Sequence, residues 1–158
     1  MNSRKNPRLT GYDYSQSGIY FITVCTKDRR SSLSRIVGGD DLGAPRVELY
    51  ENGRAAEQNL VRMNGVYDGV SVESYVIMPN HVHFLLNVRN GAPGSSPPTN
   101  TVSKFVAAFK KFTNKQCDEK LWQRGFYDHV IRDESDFAAH IAYINDNPAK
   151  WADDRYYK

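Results

Sequence analysis

The chain has 158 residues, of which 40% are hydrophobic, and a formal net charge of +3. This length and apolar content predict one domain spanning 1–158, and the absence of any run of about 18 apolar residues excludes a membrane-spanning segment. Its two cysteines, Cys25 and Cys117, fit no zinc spacing, so we expect a reduced, cytoplasmic protein without a secretory signal or a membrane partner.

Basic residues are concentrated in the first thirty positions, with tyrosines between them. We interpret about 1–17 as an N-terminal basic arm. Cations that meet phosphates and rings that stack on bases are what single-stranded nucleic acid requires, although a solvated surface explains the pattern equally well. The contacts predicted here are Arg4, Lys5, Arg8, Tyr12, Tyr14, Lys27, Arg29 and Arg30.

Hydrophobic periodicity predicts a mixed fold. The predicted strands are 19–26, 47–50, 70–78, 81–88 and 129–132, and the predicted helices are 52–64, 101–116 and 133–147. The connections are a polar segment at 27–34, a Gly/Pro-containing loop at 37–45 and a flexible loop at about 90–100. The short Pro79-Asn80 turn implies an antiparallel hairpin. This order indicates the α+β class, as a two-layer sandwich with helices on one face of a four- or five-stranded sheet.

Two histidines flank one apolar residue at the start of the strand predicted at 81–88. Because side chains alternate along a strand, His81 and His83 point to one face and Val82 points to the other. Two imidazoles held side by side on a strand could share a metal ion. A His-x-His pair on a strand is also often structural or incidental, so the pair needs further ligands.

The helix predicted at 133–147 has an apolar face and, beside it, a polar stripe. The apolar face consists of Phe137, Ile141 and Ile144, and the stripe consists of Asp136, His140, Tyr143 and Asn147. Tyrosine and asparagine are common at helix borders, which is an ordinary structural explanation. The stripe also places a possible nucleophile, Tyr143, one turn from a possible oxygen ligand, Asn147. Asp133 is expected to cap this helix and Pro148 to end it.

Two imidazoles and one oxygen form a mixed nitrogen and oxygen site that suits Mg²⁺ or Mn²⁺. Such an ion polarises a phosphoryl oxygen, which eases attack on a phosphodiester by a tyrosine of ordinary pKa. The product is a covalent phosphotyrosine that keeps the bond energy of the broken strand.

At these motifs the sequence resembles the HUH-type single-tyrosine transposases, and most closely the REP-associated tyrosine transposases (RAYT). The matching segments are MPNHVHFLL with His81 and His83, YINDNP with Tyr143 and Asn147, RLTGYDYSQSGIYFITVCT and WQRGFYDHVIRDESDF. The resemblance implies a ferredoxin-like HUH domain, Tyr143 as nucleophile, and His81, His83 and Asn147 as ligands of Mg²⁺ or Mn²⁺.

The resemblance also implies an enzyme that nicks and joins single-stranded DNA at hairpins of repetitive extragenic palindromes, through a 5′-phosphotyrosine intermediate. Single-stranded or hairpin DNA would be the partner, in the cytoplasm at the bacterial nucleoid. Such a protein could be a monomer or a homodimer that exchanges the tyrosine helix. The alternative is a non-catalytic module of the same fold that binds hairpin DNA or RNA, and a third possibility is a metal phosphodiesterase that uses water.

Several other residues are candidates for secondary roles. Tyr127 is the main rival nucleophile, because it lies beside Asp128 and His129, and it could instead stack on a base. His140 could assist the phenol of Tyr143, and His129 could assist or contact DNA, although structural roles are open for both. Further predicted DNA contacts are Lys104, Lys110, Lys111, Trp122, Arg124 and Tyr127.

Overall fold

The structure is a computed structural model that describes residues 17–39, 43–66, 69–89, 98–154 and 156. The predicted basic arm therefore lies outside the described residues, except for residue 17. The DNA contacts predicted on that arm also lie outside them: Arg4, Lys5, Arg8, Tyr12 and Tyr14. Most of the loop predicted at about 90–100 lies outside as well, and its last three residues are helical rather than irregular.

The described residues form six strands and three α-helices. The strands are β1 (Ser17–Cys25), β2 (Ser34–Val37), β3 (Arg46–Leu49), β4 (Val70–Met78), β5 (His81–Arg89) and β6 (Tyr127–Val130). The helices are α1 (Glu51–Met63), α2 (Pro98–Cys117) and α3 (Glu134–Asp146), and short 3₁₀ turns cover Lys27–Arg29 and Pro148–Asp153. Within these ranges, no helix has both the length and the apolar character needed to cross a membrane.

Most predicted elements are found within a few residues of their expected bounds. Strand β2 was not predicted, because its ends were assigned to the polar segment at 27–34 and to the loop at 37–45, which left only two residues between them. Strand β6 begins two residues earlier than the predicted strand at 129–132. The predicted cap of α3 is confirmed, since the Asp133 side chain accepts a hydrogen bond of 2.8 Å from the backbone N–H of Asp136.

The main sheet has the strand order β4-β5-β1-β6, and every neighbouring pair is antiparallel. Strands β2 and β3 form a separate two-stranded sheet. In the main sheet the chain order is strand, helix, strand, strand, helix, strand, which is the ferredoxin-like arrangement. The predicted α+β class with an antiparallel sheet is confirmed.

The central strand β5 divides the core into two parts. One face, which includes Val82, Phe84 and Leu86, packs against α1 and α2. The other face carries Leu85 against α3, together with the two histidines. The prediction that the helices share one face therefore holds for α1 and α2, whereas α3 lies on the histidine face, where the predicted mechanism requires Tyr143. The physical reason is that both faces of β5 are buried, and each needs its own cover.

Phe84 supports a prediction about stability. Its ring is fully buried, 5.9 Å from that of Phe105 and 6.1 Å from that of Phe109, between centroids. We expect Phe84→Ala to lower the free energy of unfolding by about 3–5 kcal/mol, because it removes apolar contacts and leaves a cavity. Urea denaturation measures this change. The control Phe112→Ala should cost less than about 1 kcal/mol, because Phe112 lies on the exposed side of α2 with 40% of its surface accessible.

Candidate active site

The two histidines lie at the first and third positions of β5, on the face that α3 covers. Both are buried, with exposed fractions of 0% for His81 and 1% for His83, and their ring centroids are 4.4 Å apart. Burying two imidazoles is costly unless their polar atoms are satisfied. The hydrogen-bond partners of the four ring nitrogens therefore indicate whether the pair is structural or binds a ligand.

Asn80 fixes the protonation of His81. The Asn80 Nδ2 donates to the carbonyl oxygens of Tyr156 at 2.7 Å and Arg29 at 3.4 Å, so its Oδ1 faces the histidine. This oxygen lies 2.9 Å from His81 Nδ1 and can only accept. The Nδ1 of His81 therefore carries the proton, and its Nε2 keeps a lone pair. This is the arrangement in which metal-binding histidines are usually held.

His83 is held in a similar way by the neighbouring strand. Thr23 on β1 is its partner in the antiparallel register, and Thr23 Oγ1 lies 2.8 Å from His83 Nδ1. The hydrogen bond engages Nδ1 and again leaves Nε2 for another partner. The sequence did not identify Thr23, because only the pairing of β1 with β5 brings it to His83.

Burial keeps both imidazoles neutral at pH 7. It lowers the pKa of His81 to about 3, against a smaller opposing effect of the Asn147 side chain and with a further lowering by the charge of Arg29. Burial also holds the pKa of His83 well below its usual value, with additional lowering by His81 and His140. Neutral imidazoles are the form that binds metal ions.

Asn147 approaches the same place from the end of α3. It is buried, its Nδ2 donates to the carbonyl of Tyr143 at 3.3 Å, and its Oδ1 is thereby left to accept. Within the described parts of the chain, three buried atoms of this region have no hydrogen-bond partner: His81 Nε2, His83 Nε2 and Asn147 Oδ1. Buried polar atoms without partners are rare in folded proteins. These three are the donor atoms expected of a divalent cation site, so the residues fit such an ion.

Tyr143 lies beside this donor set, on the same stripe of α3. Its ring centroid is 5.2 Å from that of His83 and 5.9 Å from that of Phe21. The side chain is 39% exposed and lines a cavity of about 530 Å³. The cavity is lined by residues of β1, β5, β6 and α3, among them Thr23, His83, Tyr127, His140 and Tyr143. A ligand in this cavity would therefore meet both the phenol and His83, one of the three residues of the donor set.

The rival tyrosine, Tyr127, lines the same cavity and is more exposed, at 55%. It lies at the start of β6, and Thr23 is its partner in the register. Exposure beside the cavity suits the predicted contact with a base. Tyr143 is in ring contact with His83, with centroids 5.2 Å apart.

Two aromatic residues near the histidines were missed from the sequence. Tyr156 is buried, with its ring centroid 4.4 Å from that of His81, and the guanidinium carbon of Arg29 lies over the Tyr156 ring, 5.5 Å from its centroid. Trp151, in the 3₁₀ turn after α3, is 6.1 Å from His81. Their positions follow from the path of the chain after Pro148, which has no periodic pattern to reveal it.

The predicted assisting histidines are both found beside the cavity. His129 on β6 and His140 on α3 each contact the Asp136 carboxylate, at 2.9 and 3.1 Å. Burial raises the pKa of Asp136, but hydrogen bonds from His129 and the backbone of Arg132, together with the charges of both histidines, outweigh it and hold this pKa below its usual value.

The predicted DNA contacts fall into several groups. Lys27, Arg29 and Arg30 are exposed on the connection after β1, and Arg124 is exposed before β6. Lys104 and Lys111 are exposed on α2, which packs on the sheet face opposite the histidines.

Two of the predicted DNA contacts have partners within the protein. Trp122 is 7% exposed and packs against Phe109 in the core, so its ring cannot stack on a base. Lys110 Nζ donates to the carbonyls of Gln123 at 2.9 Å and Gly125 at 2.5 Å. It therefore holds the loop before β6 instead of standing free for a phosphate.

No protein-family model matches the chain. A REP-associated tyrosine transposase of Escherichia coli is 26% identical over 137 residues, covering 87% of this chain and 70% of that protein. A Haemophilus influenzae protein provisionally named as another such transposase is 25% identical over 146 residues, covering 87% of this chain and 74% of that protein.

The fold is similar to that of a REP-associated tyrosine transposase solved in complex with a REP hairpin. The TM-score is 0.63 at 23% identity, over 90% of this chain and 74% of the other. The likeness supports the α+β fold with an antiparallel sheet described above. The resemblance predicted from the motifs is confirmed: over most of its length, the chain is similar to proteins named as REP-associated tyrosine transposases.

Proposed function

We propose that the chain is a metal-dependent endonuclease and strand transferase for single-stranded DNA, which acts beside hairpins of repetitive extragenic palindromes through a 5′-phosphotyrosine intermediate. The observation that carries the proposal is the group of three unpartnered donor atoms, on His81, His83 and Asn147, next to the exposed Tyr143. A solely structural histidine pair would satisfy its buried nitrogens within the protein.

In this proposal, His81, His83 and Asn147 hold the cation, and Asn80 and Thr23 hold the two rings in the required orientation. A divalent cation bound there supplies Lewis-acid polarisation of a phosphoryl oxygen. Burial of the donor set keeps water from solvating its lone pairs. Tyr143 stands at the edge of the cavity, where a DNA strand can reach it.

The covalent step then exchanges one ester for another. The Tyr143 phenol gives up its proton, and its oxygen forms a bond to phosphorus. The bond from phosphorus to the 3′ oxygen of the preceding nucleotide breaks, and that oxygen takes a proton to leave as a 3′ hydroxyl. The downstream strand stays attached through its 5′ phosphate. Attack by another 3′ hydroxyl reverses these steps and joins the strands without ATP, because no bond energy has been lost.

The substrate class is inferred from the relatives. The Escherichia coli relative is named for its association with REP sequences, and the structurally similar transposase is bound to a REP hairpin. In this chain, Tyr127 and Arg124 are exposed at the start of β6, and Lys27 and Arg30 are exposed after β1. These side chains would contact bases and phosphates of a strand that enters the cavity.

The proposal is tested with hairpin-forming DNA oligonucleotides that carry randomised single-stranded flanks. The protein is incubated with each pool and Mg²⁺ or Mn²⁺, and the products are separated on a denaturing gel. The 3′-labelled strand should migrate with the protein, whereas the 5′-labelled strand should be released with a 3′ hydroxyl. Sequencing of the protein-linked strands gives the cleavage position.

Other outcomes separate the alternatives. Cleavage without any protein-linked product would indicate a phosphodiesterase that uses water. Binding of the hairpin without cleavage in either metal would indicate the non-catalytic module. A protein-linked 5′-labelled strand would contradict the proposed polarity.

A further inference from the structure

The chain has four histidines, and the fold brings them together as two separate pairs. One pair is His81 and His83, in the site described above. The other is His129 on β6 and His140 on α3, whose rings stack with centroids 4.8 Å apart. The ring of Phe21 lies between the pairs, 4.9 Å from that of His83 and 4.7 Å from that of His140.

The second pair surrounds a carboxylate. Asp136 Oδ2 lies 2.9 Å from His129 Nε2, and Asp136 Oδ1 lies 3.1 Å from His140 Nδ1. One ligand atom from each of the three residues lies within 4.8 Å of the other two. Ligands bound to one zinc ion at about 2.0–2.2 Å are themselves about 3–3.5 Å apart, so only small movements would bring all three onto a common ion.

The position of the cluster also suits a bound ion. The three side chains are 17% to 23% exposed, which gives access from solvent without full hydration. His129 and His140 line the cavity of about 530 Å³, so coordination positions remain open on that side. Two hydrogen bonds hold Asp136 in place. Its backbone N–H donates to the Asp133 carboxylate, and its own carboxylate accepts from the backbone N–H of Arg132.

The hydrogen bonds that coordination would replace lie among the three residues of the cluster themselves. His140 Nδ1 also lies 2.9 Å from the Asp136 carbonyl, which is the ordinary helical acceptor for the backbone N–H of His140. If Nδ1 turns to an ion, that carbonyl therefore keeps a partner. Each imidazole can carry its proton on the other ring nitrogen, and the carboxylate is ionised at neutral pH.

We propose that His129, Asp136 and His140 form a second metal site, which takes a divalent first-row transition ion such as Zn²⁺. Two imidazoles and one carboxylate are the ligand set of many zinc sites that keep an open position. The same set binds Mg²⁺ poorly, because Mg²⁺ prefers oxygen ligands and retains its waters. The open position faces the cavity that Tyr143 lines, where water or a phosphate oxygen could complete the coordination.

Zinc binding is measured by equilibrium dialysis of the full chain without DNA at pH 7. The double variant His129→Gln/His140→Gln should bind one equivalent of Zn²⁺ fewer than the wild type. Glutamine can still donate to Asp136, so folding is preserved, and circular dichroism checks this. The variant His81→Gln/His83→Gln should keep the equivalent that the first variant loses.

A matched control removes a negative charge from the same cavity. Asp128→Asn changes a half-buried carboxylate that lines the cavity but lies outside the cluster, and it should leave zinc binding unchanged. The proposal is overturned if the wild type binds no zinc, if His129→Gln/His140→Gln binds as much as the wild type, or if Asp128→Asn loses as much as that variant. Because no DNA is present, the result is independent of nuclease activity.

Discussion

Replacing Tyr143 with phenylalanine will abolish the covalent link between protein and DNA. The change removes only the phenol oxygen that would attack phosphorus, and the ring keeps its contacts with His83 and Phe21. We expect the rate of adduct formation to fall at least about a thousand-fold, because no other group in that position can replace a nucleophile. The yield of 3′-labelled adduct on a denaturing gel measures the effect.

Tyr127→Phe is the matched control, since it makes the same change on a tyrosine that lines the same cavity. It should keep adduct formation and weaken DNA binding at most modestly. Both variants should unfold at the wild-type urea concentration, because both side chains are partly exposed. An adduct that persists in Tyr143→Phe and disappears in Tyr127→Phe would transfer the nucleophilic role to Tyr127.

Replacing His83 with glutamine will separate DNA binding from DNA cleavage. The variant lacks the Nε2 lone pair, one of the three unpartnered donors, while the polar side chain still fills most of the buried space. We expect Mn²⁺-dependent cleavage to fall by at least about 100-fold, since loss of an outer partner alone usually costs 10–100-fold. Hairpin binding in the absence of metal should remain, as measured by fluorescence anisotropy.

Thr23→Val provides a graded comparison. It removes the hydroxyl that orients His83 through Nδ1, and it keeps the shape of the side chain. The expected result is a shift of the Mn²⁺ dependence to about 10–100-fold higher concentration, with cleavage recovered when Mn²⁺ is raised. If His83→Gln cleaves with the wild-type Mn²⁺ dependence, His83 does not hold the ion.

Sequence patterns predicted several elements correctly where residues close together in the chain determine the structure. The strand at 70–78 was predicted with its observed bounds, and the strand predicted at 81–88 ends within one residue of β5. The Asp133 cap lies three residues from its donor and is readable from the chain. Strand β2 was missed because its ends were assigned to the neighbouring polar segment and glycine-containing loop.

The polar groups around the site were not predictable from local patterns. Thr23 meets His83 across sixty positions of sequence, and Tyr156 reaches Asn80 across seventy-six. Such contacts depend on strand register and on the path of a chain segment without periodicity. The same limit applies to Trp122 and Lys110, because composition does not distinguish a ring or a cation with partners inside the protein from one that faces solvent.

The sequence by itself determined how the site residues lie within each element: His81 and His83 are on one face of a strand, and Tyr143 and Asn147 are one turn apart on a helix. Alternation and helical pitch make these relations inevitable once each element forms. The mechanism inferred from the sequence required α3 to cross the histidine face of the sheet, but only the tertiary structure shows the packing that brings Tyr143 beside His83 and gathers His129, Asp136 and His140. That placement results from covering a second buried face of β5, and burial of this kind depends on the whole packed fold.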